Sequence, residues 1–190
     1  MTLDNQERIL SKEDIVIATP KEAIGLAGVM GGLTTEVEQD TKEIIIESAI
    51  FDSVHVRKTS KKILRSEASN RFEKGLDWEM TYTSIERACH LLEKYATAEI
   101  CSGSIIYDKA KKDIITIKIT KEVINNVLGT TLENETIINV FDRLGFTTKE
   151  EKNVLEVTVP SRRLDISIKE DLIEEVGRIY GINNICGKLP

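Results

Sequence analysis

Hydrophobic positions in this chain come in short bursts whose period changes several times. Residues 14–18 (DIVIA) and 42–49 (KEIIIESA) are brief β-branched runs that predict buried strands, with the glycine-rich GLAGVMGG between them. Residues 53–62 predict a polar, basic helix. Residues 77–95 predict a longer one in which Met80, Ile85, Ala88, Cys89 and Leu92 form one apolar face. Cys89 on that face is expected to serve core packing.

The polar, lysine-rich residues 107–113 (YDKAKKD) read as a linker. Beyond it, residues 114–119 alternate as a strand, and Thr120 can cap a helix carrying Val123, Ile124, Val127 and Leu128 before Gly129 stops it. Residues 132–144 repeat the device, with Ile137, Ile138, Phe141 and Leu144 on one face and Gly145 at the end. Leu155, Val157 and Val159 alternate as a strand closed by Pro160, and a last helix runs from about 168 to 180. Two short helices followed by a hairpin-like strand have the order of a helix-turn-helix with a wing. The predicted class is therefore α+β in two modules, residues 1–108 and 109–190, the first mixed sheet and helix, the second winged-helix-like.

Composition narrows the function classes. With 41% hydrophobic and 31% charged residues the chain is globular, and no apolar run approaches the roughly 20 residues that cross a bilayer. The polar N-terminus does not read as a signal peptide. Cys89, Cys101 and Cys186 have no CxxC spacing, which argues against a disulfide framework or zinc site and favours a reducing cytoplasm. The net charge of −6 is uneven, because residues 1–108 carry 13 cations against 19 anions whereas the remainder carries 13 of each. Within the acidic part, residues 57–74 hold seven cations, Arg57, Lys58, Lys61, Lys62, Arg65, Arg71 and Lys74, against Glu67 and Glu73. Such a local basic surface attracts a polyanion.

The glycines of GLAGVMGG fit neither the dinucleotide G-x-G-x-x-G pattern nor a phosphate loop, leaving a tight packing turn or a pocket wall. Glu47 follows three isoleucines, so a partly buried carboxylate there needs a partner or a task. RSEASNRFEKG sets Ser66, Ala68 and Ser69 beside Arg71, which suits either a salt-bridged turn or a pocket with hydroxyl donors and a shape filter. His55 and His90 lack metal-ligand spacing. Asp165, Glu170, Asp171, Glu174 and Glu175 fall within eleven residues. Asp171, Glu174 and Glu175 share a helical face, and Asp165 can fold over it to complete an oxygen cage for a hard cation such as Mg²⁺. A solvated acidic face is the alternative.

Taken together, GLAGVMGG, IIIESAIFD, RSEASNRFEKGLD, VPSRRLDISIKEDLIEEVGRIYG and the closing NNI resemble, in order and over nearly all 190 residues, the β subunit of bacterial phenylalanyl-tRNA synthetase. The resemblance implies that residues 1–108 are the C-terminal part of a tRNA-editing module that hydrolyses tyrosine mischarged onto tRNA(Phe). Residues 109–190 would be the following module, built like a nucleic-acid-binding winged helix. It makes Glu47 the residue that recognises the tyrosine hydroxyl and places Ser66, Ala68 and Gly31 in the editing pocket. With tRNA as the polyanion, the basic stretch offers Arg57, Lys58, Lys61, Lys62 and Arg65 as candidate tRNA contacts. Ser66 and Glu67 replace the family's threonine and aspartate, so the hydroxyl is kept and a methyl lost.

The resemblance also assigns Asp165, Asp171, Glu174 and Glu175 to an Mg²⁺ site shared with an α subunit. The parent is implied to be a cytoplasmic α2β2 ligase that attaches phenylalanine to tRNA with ATP. ATP itself would bind elsewhere than this chain. No class II aminoacylation centre is evident, so these residues are expected neither to charge tRNA nor, without the upstream half of the editing module, to edit efficiently. Two rivals are a stand-alone winged-helix DNA-binding protein and a purely structural assembly module. The first is disfavoured because residues 109–190 are electrically neutral and end in an acidic helix, while duplex binding depends on phosphate neutralisation.

Overall fold

Backbone pairing near the N-terminus is short-range. In the computed structural model, which describes residues 1–110 and 112–185, β1 (Val16–Ala18), β2 (Ala23–Leu26) and β3 (Met30–Gly31) form an antiparallel meander. Val16 pairs with Leu26, and Leu26 with Met30. Cys186 lies outside the described residues. The chain divides into two units, Met1–Ala110 and Lys111–Pro190, and each is built around its own core.

In the first unit two glycines are required by packing. Gly28 has φ +67°, and a Cβ there would stand 3.1–3.3 Å from Phe72, Val56 and Phe51. At Gly32 a Cβ would meet the Ile24 carbonyl oxygen at 2.5 Å. Against this meander lies α1 (Ser53–Lys62), whose first turn is capped by the Asp52 carboxylate accepting from the His55 N–H at 2.9 Å. Its inner side buries Val56, Thr59 and Ser60. Next come α2 (Glu67–Phe72) and α3 (Met80–Ala96), and a small core gathers Leu26, Val29 and Val56 with Phe51, Ile63 and Phe72.

A polar clasp fastens α1 to the start of β1. The Asp14 side chain, 4% exposed, accepts from the Ser11 N–H and hydroxyl, from Thr59 Oγ1 at 2.7 Å, and from Lys62 Nζ at 3.3 Å. Burial acts to raise its pKa, but these hydrogen bonds outweigh it and hold the carboxyl well below the usual range.

Two sequence expectations fail in this unit. Residues 42–49 form no strand, and Ile45 is 99% exposed. A strand exists only by pairing, and the β3 edge is already taken by the N-terminal segment, where the Leu3 N–H donates to the Gly31 carbonyl. The face of α3 is also less covered than its periodicity predicts. None of its residues is buried, Met80 is 51% exposed, and Cys89 is half-buried outside either core.

The second unit follows its pattern closely. Thr116–Thr120 is β4, and α4 (Lys121–Leu128) is capped by the Thr120 hydroxyl and closed by Gly129 at φ +69°. The Asn125 amide bonds both the N–H and the carbonyl of Leu132, fixing the turn into α5 (Asn134–Arg143). Then β5 (Thr147–Glu151) and β6 (Val154–Thr158) form a hairpin, in a sheet of order β4-β6-β5, before α6 (Lys169–Tyr180). Ile117, Ile119, Leu155 and Val157 point from the sheet into a core with Ile124, Ile137, Phe141, Leu172 and Val176. β5, sequence TTKEE, carries no apolar residue, and periodicity misses it. Its signal is the two-residue turn, since Lys152 and Asn153 both have positive φ (49° and 66°), the geometry of a tight hairpin.

A carboxylate whose pKa is depressed by folding contributes stability above its unfolded pKa and loses it as pH falls toward the folded value. Asp14→Asn is therefore expected to cost about 2 kcal/mol at pH 7, the scale of a hydrogen bond to a charged group. The gap between wild type and variant should close as pH drops below about 4. Urea unfolding at several pH values checks this, and equal stability at pH 7 would show that the clasp carries no net energy.

Candidate functional site

A cavity of about 880 Å³ opens in the first unit between the glycine turn, the irregular chain of residues 35–51, and α2. Its wall is mostly apolar, with Leu26, Val29, Met30, Phe51 and Phe72. Gly31, Glu47 and Ala68 all line it, although they come from three separate stretches of chain. Ser66, the fourth residue expected there, does not line the cavity.

The Ser66 hydroxyl instead donates to the Val29 carbonyl at 2.6 Å and accepts from the Ser69 N–H at 3.1 Å. Ser69 Oγ in turn accepts from the Ser66 N–H at 2.9 Å, a reciprocal cap at the start of α2. The hydroxyls expected as ligand donors are thus spent on backbone. What they achieve is positional, holding α2 and Ala68 against the glycine turn.

Glu47 is different in kind. Among the described residues no hydrogen bond or ion pair engages its carboxylate, and burial against the cavity wall pushes its pKa up, even though the residue as a whole stays solvent-accessible. An unpartnered acceptor in an apolar recess suits a ligand hydroxyl or ammonium group. His55 does not approach the cavity wall, and its Nδ1 meets Asp52 at 2.6 Å.

The cations divide as well. Arg57, Lys58 and Lys61 stand exposed on α1 and Arg65 on the connection to α2, none of them in an ion pair among the described residues, whereas Lys62 is held by Asp14.

The expected oxygen cage in the second unit is not what the structure builds. Arg163 donates to Asp165 at 2.9 and 2.7 Å and to the Glu175 carboxylate at 2.9 Å, while Arg178 bonds the other Glu175 oxygen. The hydrogen bond from Arg163 is the main cause holding the Glu175 carboxyl below its ordinary value. Asp171 accepts from the Ser167 and Ile168 N–H groups and caps α6, and Glu174 faces solvent. Among the described residues no group of three or more His, Cys, Asp or Glu is placed to hold a metal ion. The residues therefore do not fit a magnesium site in this arrangement, because an arginine already supplies the positive charge. Spacing on the helix reveals the acids but not a guanidinium arriving from the preceding loop. Sequence reasoning missed Arg163, although the paired arginines of PSRRLD were the available signal.

A glycine turn clipped to a serine-capped helix around one recess, followed by a helix-helix-hairpin unit, places the chain in a defined class. It belongs to the B3/4 domain family, whose model matches residues 1–97, and residues 117–182 match the tRNA synthetase B5 domain. Its relatives include the phenylalanine-tRNA ligase beta subunits of Staphylococcus epidermidis, 48% identical over 190 residues, and of Bacillus subtilis, 46% identical over 191 residues. That of Staphylococcus aureus RF122 is 47% identical over 190 residues. Each alignment takes in 100% of this chain and 24% of the relative, so the chain spans about a quarter of the length of the curated relatives it matches. No helix among the described residues is long and apolar enough to cross a membrane.

Two expectations follow. A carboxyl whose pKa is raised by folding favours the folded state when protonated and loses that advantage as pH rises through the folded value. Glu47→Gln should therefore raise the thermal midpoint slightly at pH 7, with the difference vanishing near pH 4. A midpoint that falls at pH 7 would show that the carboxylate has a partner. Arg163→Met should destabilise the second unit by about 3 kcal/mol, because Glu175, with 8% of its side chain exposed, loses a buried counterion. Adding Glu175→Leu should recover most of that loss, and denaturant unfolding of the single and double variants measures the coupling.

Proposed function

We propose that the first unit forms part of a proofreading pocket in a phenylalanine-tRNA ligase β subunit, where tyrosine wrongly esterified to tRNA(Phe) is recognised and released by hydrolysis. The observation that carries this reading is the unpartnered Glu47 carboxylate at an apolar cavity whose other walls include Gly31 and Ala68. A tyrosine side chain fits such a recess by its ring and donates its phenol hydroxyl to Glu47. Phenylalanine fills the same space but leaves the acceptor unpaired, and a site built around a polar contact rejects the analogue lacking it by large factors.

The ester bond of an aminoacyl-tRNA is already activated toward attack by water, so orienting the ester and a water molecule suffices without a strong nucleophile. The small side chains at positions 31 and 68 leave room for the ring, and the hydroxyl of Ser66 acts through the backbone it holds. The parent enzyme's partners in this reading are tRNA(Phe) and an α subunit that bears the aminoacylation centre. The second unit, nearly neutral and built around its own core, serves assembly. No role for magnesium is proposed for Asp165, Asp171, Glu174 and Glu175, whose charges are met by Arg163, Arg178 and the α6 backbone or by solvent.

In the enzyme assembled with its α subunit, Glu47→Ala should slow deacylation of tyrosyl-tRNA(Phe) by a factor on the order of 10² or more. Ala68→Trp should do the same by filling the cavity, with an unchanged circular dichroism spectrum. Deacylation at the wild-type rate in both variants would remove this cavity from proofreading.

A further inference from the structure

Glu175 on α6 has 8% of its side chain exposed, and its neighbours Leu172 and Val176 belong to the core of the second unit. A carboxylate so placed requires a counterion. Arg163, from the loop between β6 and α6, supplies it. One terminal nitrogen of its guanidinium lies 2.7 Å from an Asp165 oxygen and 2.9 Å from a Glu175 oxygen, so carboxylates from a loop and a helix converge on a single atom. The second Asp165 oxygen accepts from Arg163 Nε at 2.9 Å, and the second Glu175 oxygen accepts from Arg178. Two carboxylates thus face two guanidinium groups, and the group as a whole carries no net charge with which to draw a divalent cation.

The remaining acids offer little more. Asp171 is engaged by the Ser167 and Ile168 N–H groups at 2.8 and 3.0 Å, and Glu174 is exposed. Arg163 is also held in place from several sides. Its own N–H donates to the Pro160 carbonyl at 2.9 Å, and its guanidinium lies 5.8 Å over the Phe146 ring. The adjacent Arg162 bonds the Leu144 carbonyl at the end of α5, and Ile166, three residues on, is buried. A planar fork fixed in this way loses little freedom when it grips two carboxylates, whereas Mg²⁺ gives up its water reluctantly.

We infer that the Arg163 guanidinium occupies the place of a metal ion between the loop after β6 and α6. It closes the acidic cluster to divalent cations, and the residue at position 163 decides whether an arginine or a metal holds the junction. The loop is then fastened at any magnesium concentration, together with the exposed Leu164 and Ile168 that it carries. This junction lies within the second unit and is independent of the proofreading pocket.

Electron paramagnetic resonance with Mn²⁺, a paramagnetic stand-in for Mg²⁺, tests this on the full 190-residue chain. Wild type should show no Mn²⁺ site tighter than about 1 mM, the weak end of oxygen-ligated divalent sites, and the same thermal midpoint in EDTA as in MgCl₂. Arg163→Gln should lower the midpoint in EDTA and bind Mn²⁺ about tenfold more tightly than wild type, because the converging carboxylates then lack their cation. MgCl₂ should restore part of that midpoint, and adding Asp165→Asn should abolish both the Mn²⁺ site and the rescue. Arg163→Lys keeps a positive charge at the junction and should stay closed to Mn²⁺. If Arg163→Gln does not fold, the wild-type titration and Arg163→Lys still decide. A Mn²⁺ site in wild type that Asp165→Asn removes, an Arg163→Gln chain that takes up no more Mn²⁺ than wild type, or an Arg163→Lys chain that gains a Mn²⁺ site would each overturn the assignment.

Discussion

One hydroxyl organises the first unit. Ser66 Oγ serves two backbones at once, donating to the Val29 carbonyl and accepting from the Ser69 N–H, so the start of α2 cannot move without the glycine turn moving too. A residue this economical is used where two loops of different origin must meet at fixed separation. The tilted rings of Phe51 and Phe72, 5.3 Å apart, close the same junction from the apolar side. Gly28 is demanded by that crowding, and the cavity is the space left when the glycine turn, α2 and the irregular chain around Glu47 are held apart by these contacts.

The second unit solves its polar problem with charge. Glu175 sits nearly buried on α6, flanked by Leu172 and Val176 that belong to the core. Arg163 meets it from the loop after β6 and also lies 5.8 Å over the Phe146 ring, so a single guanidinium bridges a carboxylate, a second carboxylate and an aromatic face. An arginine can do this because its planar fork offers several donors in fixed directions. An acid cluster that looks like a ligand set in sequence becomes a tether between a loop and a helix.

How much could be read in advance differs between the two units for a physical reason. In the second, amphipathic helices announce themselves through Ile137 and Phe141, and their ends through Thr120 and Gly129, because local spacing and local capping decide those features. Strands depend on what they pair with. The isoleucines of 42–49 carry high strand propensity but pair with no strand among the described residues, whereas TTKEE carries little and becomes β5 because β6 lies beside it. Gly31, Glu47 and Ala68 each stand out as candidates in their own stretch, but their convergence on one cavity was legible only through the family-like motifs, since nothing local says that three stretches will meet. That Ser66 would face a backbone carbonyl instead of the cavity was beyond reach of spacing.

The charged sequence of β5 has a further consequence. β5 occupies the outer edge of its sheet, where unpaired N–H and C=O groups would otherwise template the addition of another chain. Lys149, Glu150 and Glu151 make such an approach costly, since a second copy would have to desolvate those charges and set like signs against one another. The strand that sequence patterning overlooks for want of apolar residues is, for that same want, a poor seed for self-association along this edge of the sheet.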